Sequence, residues 1–282
     1  MRFRNTLLVV AMFALIVLTA CQPVMVESEL DKVDEQEEIS VIATDEGIND
    51  NELANREMSP GLTTFSFDNQ RSNSDFGPSI VRLNDDVTVD ALVEAASSDD
   101  PMSAVSMLTL YGSSWLQQGV GITFETYLSP GNYLFLEQDP TSVGDVTPFT
   151  VLAEGETSSA EPPNADIDLS LQDFAFVMPD TIAAGDNVWH ISNDGDQWHE
   201  ISIFPVPDGS TPSGILEMLH DESNDDEPEV AFQFGPISSG LEIWSSIELA
   251  PGTYVALCFL PDIDGDFTTH FDKGMIRVFT VE

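Results

Sequence analysis

The sequence predicts an all-β protein made of two tandem β-sandwiches with small helical insertions. Three observations point to it. Short aliphatic and aromatic runs, such as Val188-Trp189-His190-Ile191-Ser192-Asn193, are separated by Gly, Pro, Asn and Asp, the pattern of strands closed by turns. The pattern also occurs twice. Leu128-Ser129-Pro130-Gly131-Asn132-Tyr133 is answered by Leu249-Ala250-Pro251-Gly252-Thr253-Tyr254, and Phe149-Thr150-Val151 by Phe279-Thr280-Val281. Between the two lies Glu154 to Ala165, reading EGETSSAEPPNA, with the Ser, Pro and Gly content of a linker.

Taken in order, the chain opens with Arg2 and Arg4, an apolar run from Leu7 to Leu18, and small residues ending at Cys21. Residues 1–20 read as an export signal, because the apolar run is too short for a comfortable membrane span. Residues 21–58 are acidic and poor in aromatics, and read as a disordered tether. Residues 59–154 form the first sandwich, 155–165 the linker and 166–282 the second sandwich. Val89–Ala96 and Ile215–Leu219 have helical spacing and fall mid-copy, as small helices inserted between strands.

The charge narrows the partners. With 8 Lys and Arg against 50 Asp and Glu, the formal net charge is −42. Such a surface excludes nucleic acid and does not bind anionic headgroups. It favours solubility, suits a salty medium, and steers basic partners.

The chemistry concentrates near the end. Cys258 closes a strand pattern, and His270 and Met275 follow within one loop before a last strand. Upstream, Trp198-His199-Glu200 ends another strand pattern. One thiolate, two imidazoles and one thioether are the ligand set of a type 1 copper site. Zinc suits the thioether poorly, and the spacing is not that of a zinc finger. Aligning the two copies sets Phe76 opposite His199 and Glu137 opposite Cys258, while His270 and Met275 have no counterpart. The first copy is therefore expected to be free of metal. His190 is expected on a surface face and His220 in solvent. Asp262-Ile263-Asp264-Gly265-Asp266 lacks the glycine position and the final Glu of a calcium loop.

On these residues the second copy resembles a cupredoxin, the Greek-key β-sandwich of plastocyanin and azurin. The resemblance implies His199 as first imidazole, Cys258 as thiolate, His270 as second imidazole and Met275 as axial thioether, holding one copper ion. It covers 166–282 with ligands and 59–154 as a degenerate copy. Residues 259–269, between Cys258 and His270, are more numerous than in familiar members, and their Gly, Pro and Asp suggest an outward surface turn. The Leu18-Thr19-Ala20-Cys21 ending resembles a bacterial lipobox, which implies lipidation at Cys21 and an extracytoplasmic, membrane-anchored location. With Cys21 acylated, Cys258 has no disulfide partner among the chain's two cysteines. The implied protein is an electron carrier with an exposed ligand edge and a redox partner, not an enzyme and without a small-molecule substrate. A copper-free interaction module and a copper-delivery protein are the competing readings.

Overall fold

The computed structural model describes residues 36–49, 53–96, 98, 102–138, 143–154, 157–158, 160–221, 229–263 and 265–282. Cys21, residues 1–20 and residues 21–35 lie outside the described residues.

The protein is an all-β sandwich. Its first half contains β1 (Glu37–Thr44), β2 (Gly47–Asn49), β3 (Glu57–Met58), β4 (Gly61–Asn69), β5 (Gly77–Leu83), β6 (Leu108–Ser113), β7 (Gly121–Leu128), β8 (Gly131–Gln138) and β9 (Val143–Val151). Helices α1 (Val89–Ala96) and α2 (Met102–Val105) interrupt it between β5 and β6. The second half contains β10 (Ile167–Gln172), β11 (Ala175–Val177), β12 (Thr181–Ile182), β13 (Gly185–Asn193), β14 (His199–Val206), β15 (Phe232–Ile237), β16 (Glu242–Leu249), β17 (Gly252–Leu257) and β18 (Ile276–Val281). Helix α3 (Pro212–His220) lies between β14 and β15.

Two sheets run through both halves. One has the order β11-β10-β13-β16-β7-β4-β1-β2, the other β12-β18-β17-β14-β15-β6-β5-β8-β9-β3. Each order reads the same from either end when β1–β9 are matched to β10–β18. Side-chain details repeat as well. Tyr133 donates its hydroxyl to the Ser129 carbonyl at 2.8 Å, and Tyr254 to that of Ala250 at 2.9 Å. The strand-end amides Asn69 and Asn193 each donate to two backbone carbonyls.

Alternation builds the core. In β10, Ile167, Leu169 and Leu171 are buried and the residues between them face outward. Strands β5 and β14 are largely buried on both faces because helices cover their outer sides. Helices α1 and α2 pack on Val81 and Leu83, while Ile215 of α3 packs with Phe204, Val255, Leu257 and Phe271. The hydroxyl of Thr211 caps α3 by accepting the Gly214 N–H.

The tether expectation needs correction over residues 37–49 and 53–58. Strand β1 pairs in parallel with β4 from Glu37↔Thr63 to Ala43↔Asn69. Ile39, Val41 and Ala43 are fully buried. The acidic run just upstream masks this short alternation, whose three apolar side chains complete the sheet's inner face.

The halves meet along β7 and β16, paired antiparallel at Thr126↔Ile243, and β6 touches β15 at Tyr111↔Ile237. Ser113 Oγ donates to the Gly235 carbonyl at 2.5 Å, and Thr126 Oγ1 to that of Glu242 at 2.8 Å. At the centre of the seam the Phe124 and Phe234 rings cross at 4.8 Å. Gly112 is needed there: it has φ +114°, and a Cβ would lie 2.3 Å from the Phe234 ring. Replacing Phe234 with Ala should lower the unfolding free energy by about 3–5 kcal/mol. Urea denaturation of both proteins measures this, and a loss below about 1 kcal/mol would contradict the seam packing.

Candidate metal centre

The site lies at one end of the second half, where β14 begins and where β17 leads into β18. His199 is the first residue of β14, Cys258 follows the last residue of β17, and Met275 precedes β18. The sheet register sets the frame: β14 and β17 pair at Ser202↔Leu257, and β17 and β18 at Leu257↔Ile276. The connection is then drawn tight by the backbone. Phe271 N–H donates to the Cys258 carbonyl at 3.0 Å, and Met275 N–H to that of His270 at 2.9 Å.

Three of the four sequence-predicted ligands bring donor atoms together. The donor atoms of His199, Cys258 and His270 all lie within 4.8 Å of one another. The two Nδ1 atoms are 3.1 Å apart, and Cys258 Sγ lies 3.4 Å from His270 Nδ1. Met275 is fully buried in the same core cluster as Cys258, and its carbonyl accepts the Cys258 N–H at 3.3 Å.

The expectation of an exposed ligand edge is corrected. His199, Cys258 and Met275 are wholly buried, and His270 is 1% exposed. The segment 259–269 folds back on itself, and its tip, Gly265 to Phe267, faces solvent as its turn composition predicts. His270 N–H donates to the Leu260 carbonyl at 2.8 Å, Pro261 bridges Thr269, and Asp262 N–H donates to the Thr268 carbonyl at 2.9 Å. The loop thus pairs with itself around an inward-turned Asp262.

Partners missed in the sequence hold the imidazoles from behind. Asp173, after β10, accepts His199 Nε2 at 3.0 Å and also the N–H groups of Asp196 and Gln197. Burial alone would raise the Asp173 carboxyl, but His199 and these N–H groups outweigh it and hold it below its ordinary value. Gly195 lets this contact form, since a Cβ there would lie 2.6 Å from His199 Nε2. Gln197 Oε1 faces His270 Nε2 at 3.3 Å. The Phe174 ring stands edge-on to His270 with centroids 5.0 Å apart. Only the turn composition around Asp173 and Gly195 hints at these contacts in the sequence.

Electrostatics keep the donors uncharged. Burial lowers His199, and burial with the neighbouring His199 lowers His270 to about 4. Burial, then Glu200, pushes the Cys258 thiol well above its ordinary value, against the N–H groups of Glu200 and Leu260. Burial also raises Glu200 to about 7, opposed by the Phe259 N–H at 3.0 Å.

These groups fit a soft metal ion. An Nε2–H donated to a carboxylate or an amide oxygen leaves Nδ1 as a lone pair on each ring. Two lone pairs then face each other across 3.1 Å beside a buried sulfur, an arrangement that a cation relieves.

The equivalent end of the first half is filled differently. Phe76 is fully buried, and Arg71 sits 5.6 Å over its ring while pairing with Glu137 at 2.5 Å. His190 and His220 lie apart from the centre. His190 stacks on Trp244 at 4.6 Å on the outer sheet face, and the half-exposed His220 pairs with Asp272 at 2.8 Å. No helix among the described residues is long and apolar enough to cross a membrane.

No family model and no curated protein matches the chain. Solved structures similar to it include reduced auracyanin from the photosynthetic bacterium Roseiflexus castenholzii, 20% identical, covering 41% of this chain and 94% of that one with a TM-score of 0.28. Auracyanin A, a "blue" copper protein from Chloroflexus aurantiacus, is 14% identical over 41% and 97%, with a TM-score of 0.28. A copper nitrite reductase from Nitrosomonas europaea is 11% identical over 88% of this chain and 94% of that one, with a TM-score of 0.25. A multicopper oxidase is also among the matches. With enzymes among them, the expectation that this chain is not an enzyme does not stand.

Uptake of a metal ion by this donor set should release about one proton per ion at pH 8. His199 and His270 are already neutral there and Glu200 is largely ionised, so the proton comes from Cys258. Calorimetry in two buffers of different ionisation enthalpy counts the protons. Release of none, or of two or more, would contradict neutral imidazoles beside a protonated thiol.

Proposed function

We propose that the chain is an extracytoplasmic copper protein, lipid-anchored at Cys21, whose second half holds one type 1 copper ion between His199, Cys258, His270 and Met275 and passes single electrons. One observation carries this reading: two imidazole Nδ1 atoms and one thiol converge in a buried pocket, with the opposite edge of each imidazole already hydrogen-bonded. Bound there, copper would supply one-electron chemistry by cycling between Cu(II) and Cu(I).

The residues divide the work. Cys258, His199 and His270 would hold the ion as its strong donors, and the Met275 thioether would be its weak one. Asp173 and Gln197 orient the rings, and Glu200 ties the Cys258 loop to the β14 end through Phe259. With the ligands buried, electrons leave through packed side chains. Phe259 and Phe271, each next to a ligand in sequence, set their rings edge-on with centroids 5.5 Å apart on the α3 side. The first half is a degenerate copy of the second. It carries Phe76 and the Arg71–Glu137 pair in place of donors and serves as scaffold.

The partner is a protein with a basic surface. The described Lys and Arg residues, Arg56, Arg71, Arg82, Lys273 and Arg277, all sit in ion pairs. The large acidic excess is left to the exterior, where it draws cationic surfaces.

Reconstitution with Cu(II) should give one ion per chain and an intense visible thiolate band. Cys258→Ser should remove the band, whereas Met275→Leu should keep it and shift the potential. A wild-type protein that takes up copper without colour would contradict the type 1 assignment. Expressed with its leader in a bacterial host, the Cys21→Ser chain should move from the membrane to the soluble exported fraction. If it still sediments with membranes, the lipid anchor is wrong.

A further inference from the structure

Behind His270 runs a chain of polar contacts that ends at the surface. Gln197 Nε2 donates to Asp262 Oδ1 at 2.8 Å, and Asp262 Oδ2 accepts from Lys273. Lys273 also reaches Asp266 at 3.1 Å and lies 5.3 Å from the centre of the Phe174 ring. Asp262 is 5% exposed and Gln197 9% exposed, so the contact between them forms out of bulk water.

Each contact dictates the next. An ammonium group only donates, so Asp262 meets Lys273 as an acceptor. A carboxylate beside Gln197 requires the NH2 end of that amide, because two acceptor oxygens would repel. The Gln197 carbonyl must then face His270, and an acceptor 3.3 Å from Nε2 requires hydrogen on Nε2. Nδ1 is left as a lone pair, turned towards His199 and Cys258. The Gln197 backbone is fixed on both sides: its N–H donates to Asp173, and its carbonyl accepts from Asn193. Asp262 is equally fixed. Its carbonyl accepts the Phe267 N–H at 3.0 Å, and Gly265 leaves room for its carboxylate, which a Cβ would approach to 2.2 Å.

We propose that Lys273, Asp262 and Gln197 form a relay that locks His270 in its Nε2–H tautomer and so presents Nδ1 to the metal. The relay rests on the copper reading above and adds a purpose for the long segment 259–269: its buried Asp262 is a positioning residue that acts on the ligand through Gln197. His199 receives the same instruction directly from Asp173, without an intermediary.

The test uses the full exported chain in metal-free form, with ¹⁵N-labelled histidine, and reads the His270 tautomer by NMR. Wild type should show Nε2–H. Asp262→Asn is nearly isosteric, but its amide can donate to the Gln197 carbonyl, turn the glutamine round and offer His270 a donor. It should lose the Nε2–H preference, and Gln197→Leu should lose it as well. Asp266→Asn leaves the Asp262–Lys273 contact in place and should match wild type. Copper affinity measured on the same proteins should fall about 10–100-fold for Asp262→Asn and Gln197→Leu, and stay unchanged for Asp266→Asn. An Nδ1–H tautomer in wild type, or an unchanged tautomer in Asp262→Asn, would overturn the relay. The wild-type spectrum decides the matter even if a variant does not fold. Failure of wild type to bind copper would instead reject the metal reading, which the metal-free spectrum does not depend on.

Discussion

Two imidazole nitrogens face each other at 3.1 Å, each with its ring's other nitrogen already committed, and a protonated thiol lies 3.4 Å from one of them. Most of the second half can be understood as the means of holding that arrangement. It is costly without a cation: the single thiol S–H can serve only one of the two buried lone pairs, and the other loses the hydrogen bond it had in water. The sandwich supplies the rigidity. His199 and Cys258 stand at the ends of β14 and β17, adjacent strands in register, so their separation is set by the sheet and not by a flexible loop. The buried faces on either side of these strands, with α3 outside and the shared core inside, leave the donors little room to relax.

The first half shows what the same frame does without donors. At the position matching His199 it has Phe76, and at that matching Cys258 it has Glu137, satisfied by Arg71. An aromatic ring and an ion pair fill the space that the second half reserves for a ligand set. Strand order, the tyrosine hydrogen bonds and the strand-end asparagines are kept in both. The backbone frame and the site are therefore separable, and the seam through Phe124 and Phe234 lets the filled half brace the other.

How much of this is legible in the sequence depends on how rare the residues are. With 4 His and 2 Cys in the chain, His199, Cys258 and His270 stand out by type alone, and the Pro-Gly turns make the internal repeat visible. Asp173 and Asp262 cannot stand out among 50 acidic residues, and nothing in their neighbours marks them as buried. The Gly, Pro and Asp of segment 259–269 signal a solvated turn, which Gly265 to Phe267 form, but they do not tell which carboxylate turns inward. Asp262 turns inward because Lys273 and Gln197 satisfy it. Strand β1 is hidden because the acidic run before it outweighs Ile39, Val41 and Ala43 in composition. Composition does not report a three-residue alternation, whereas a sheet edge does.

The central claim is that His199, Cys258 and His270 are ligands of one metal ion, and X-ray absorption at the copper edge tests it most directly. Copper-loaded protein should show one short sulfur scatterer and two imidazoles in the first shell, and Cys258→Ser should lose the sulfur and keep the imidazoles. A first shell made only of oxygen and nitrogen in the wild-type protein would contradict the account.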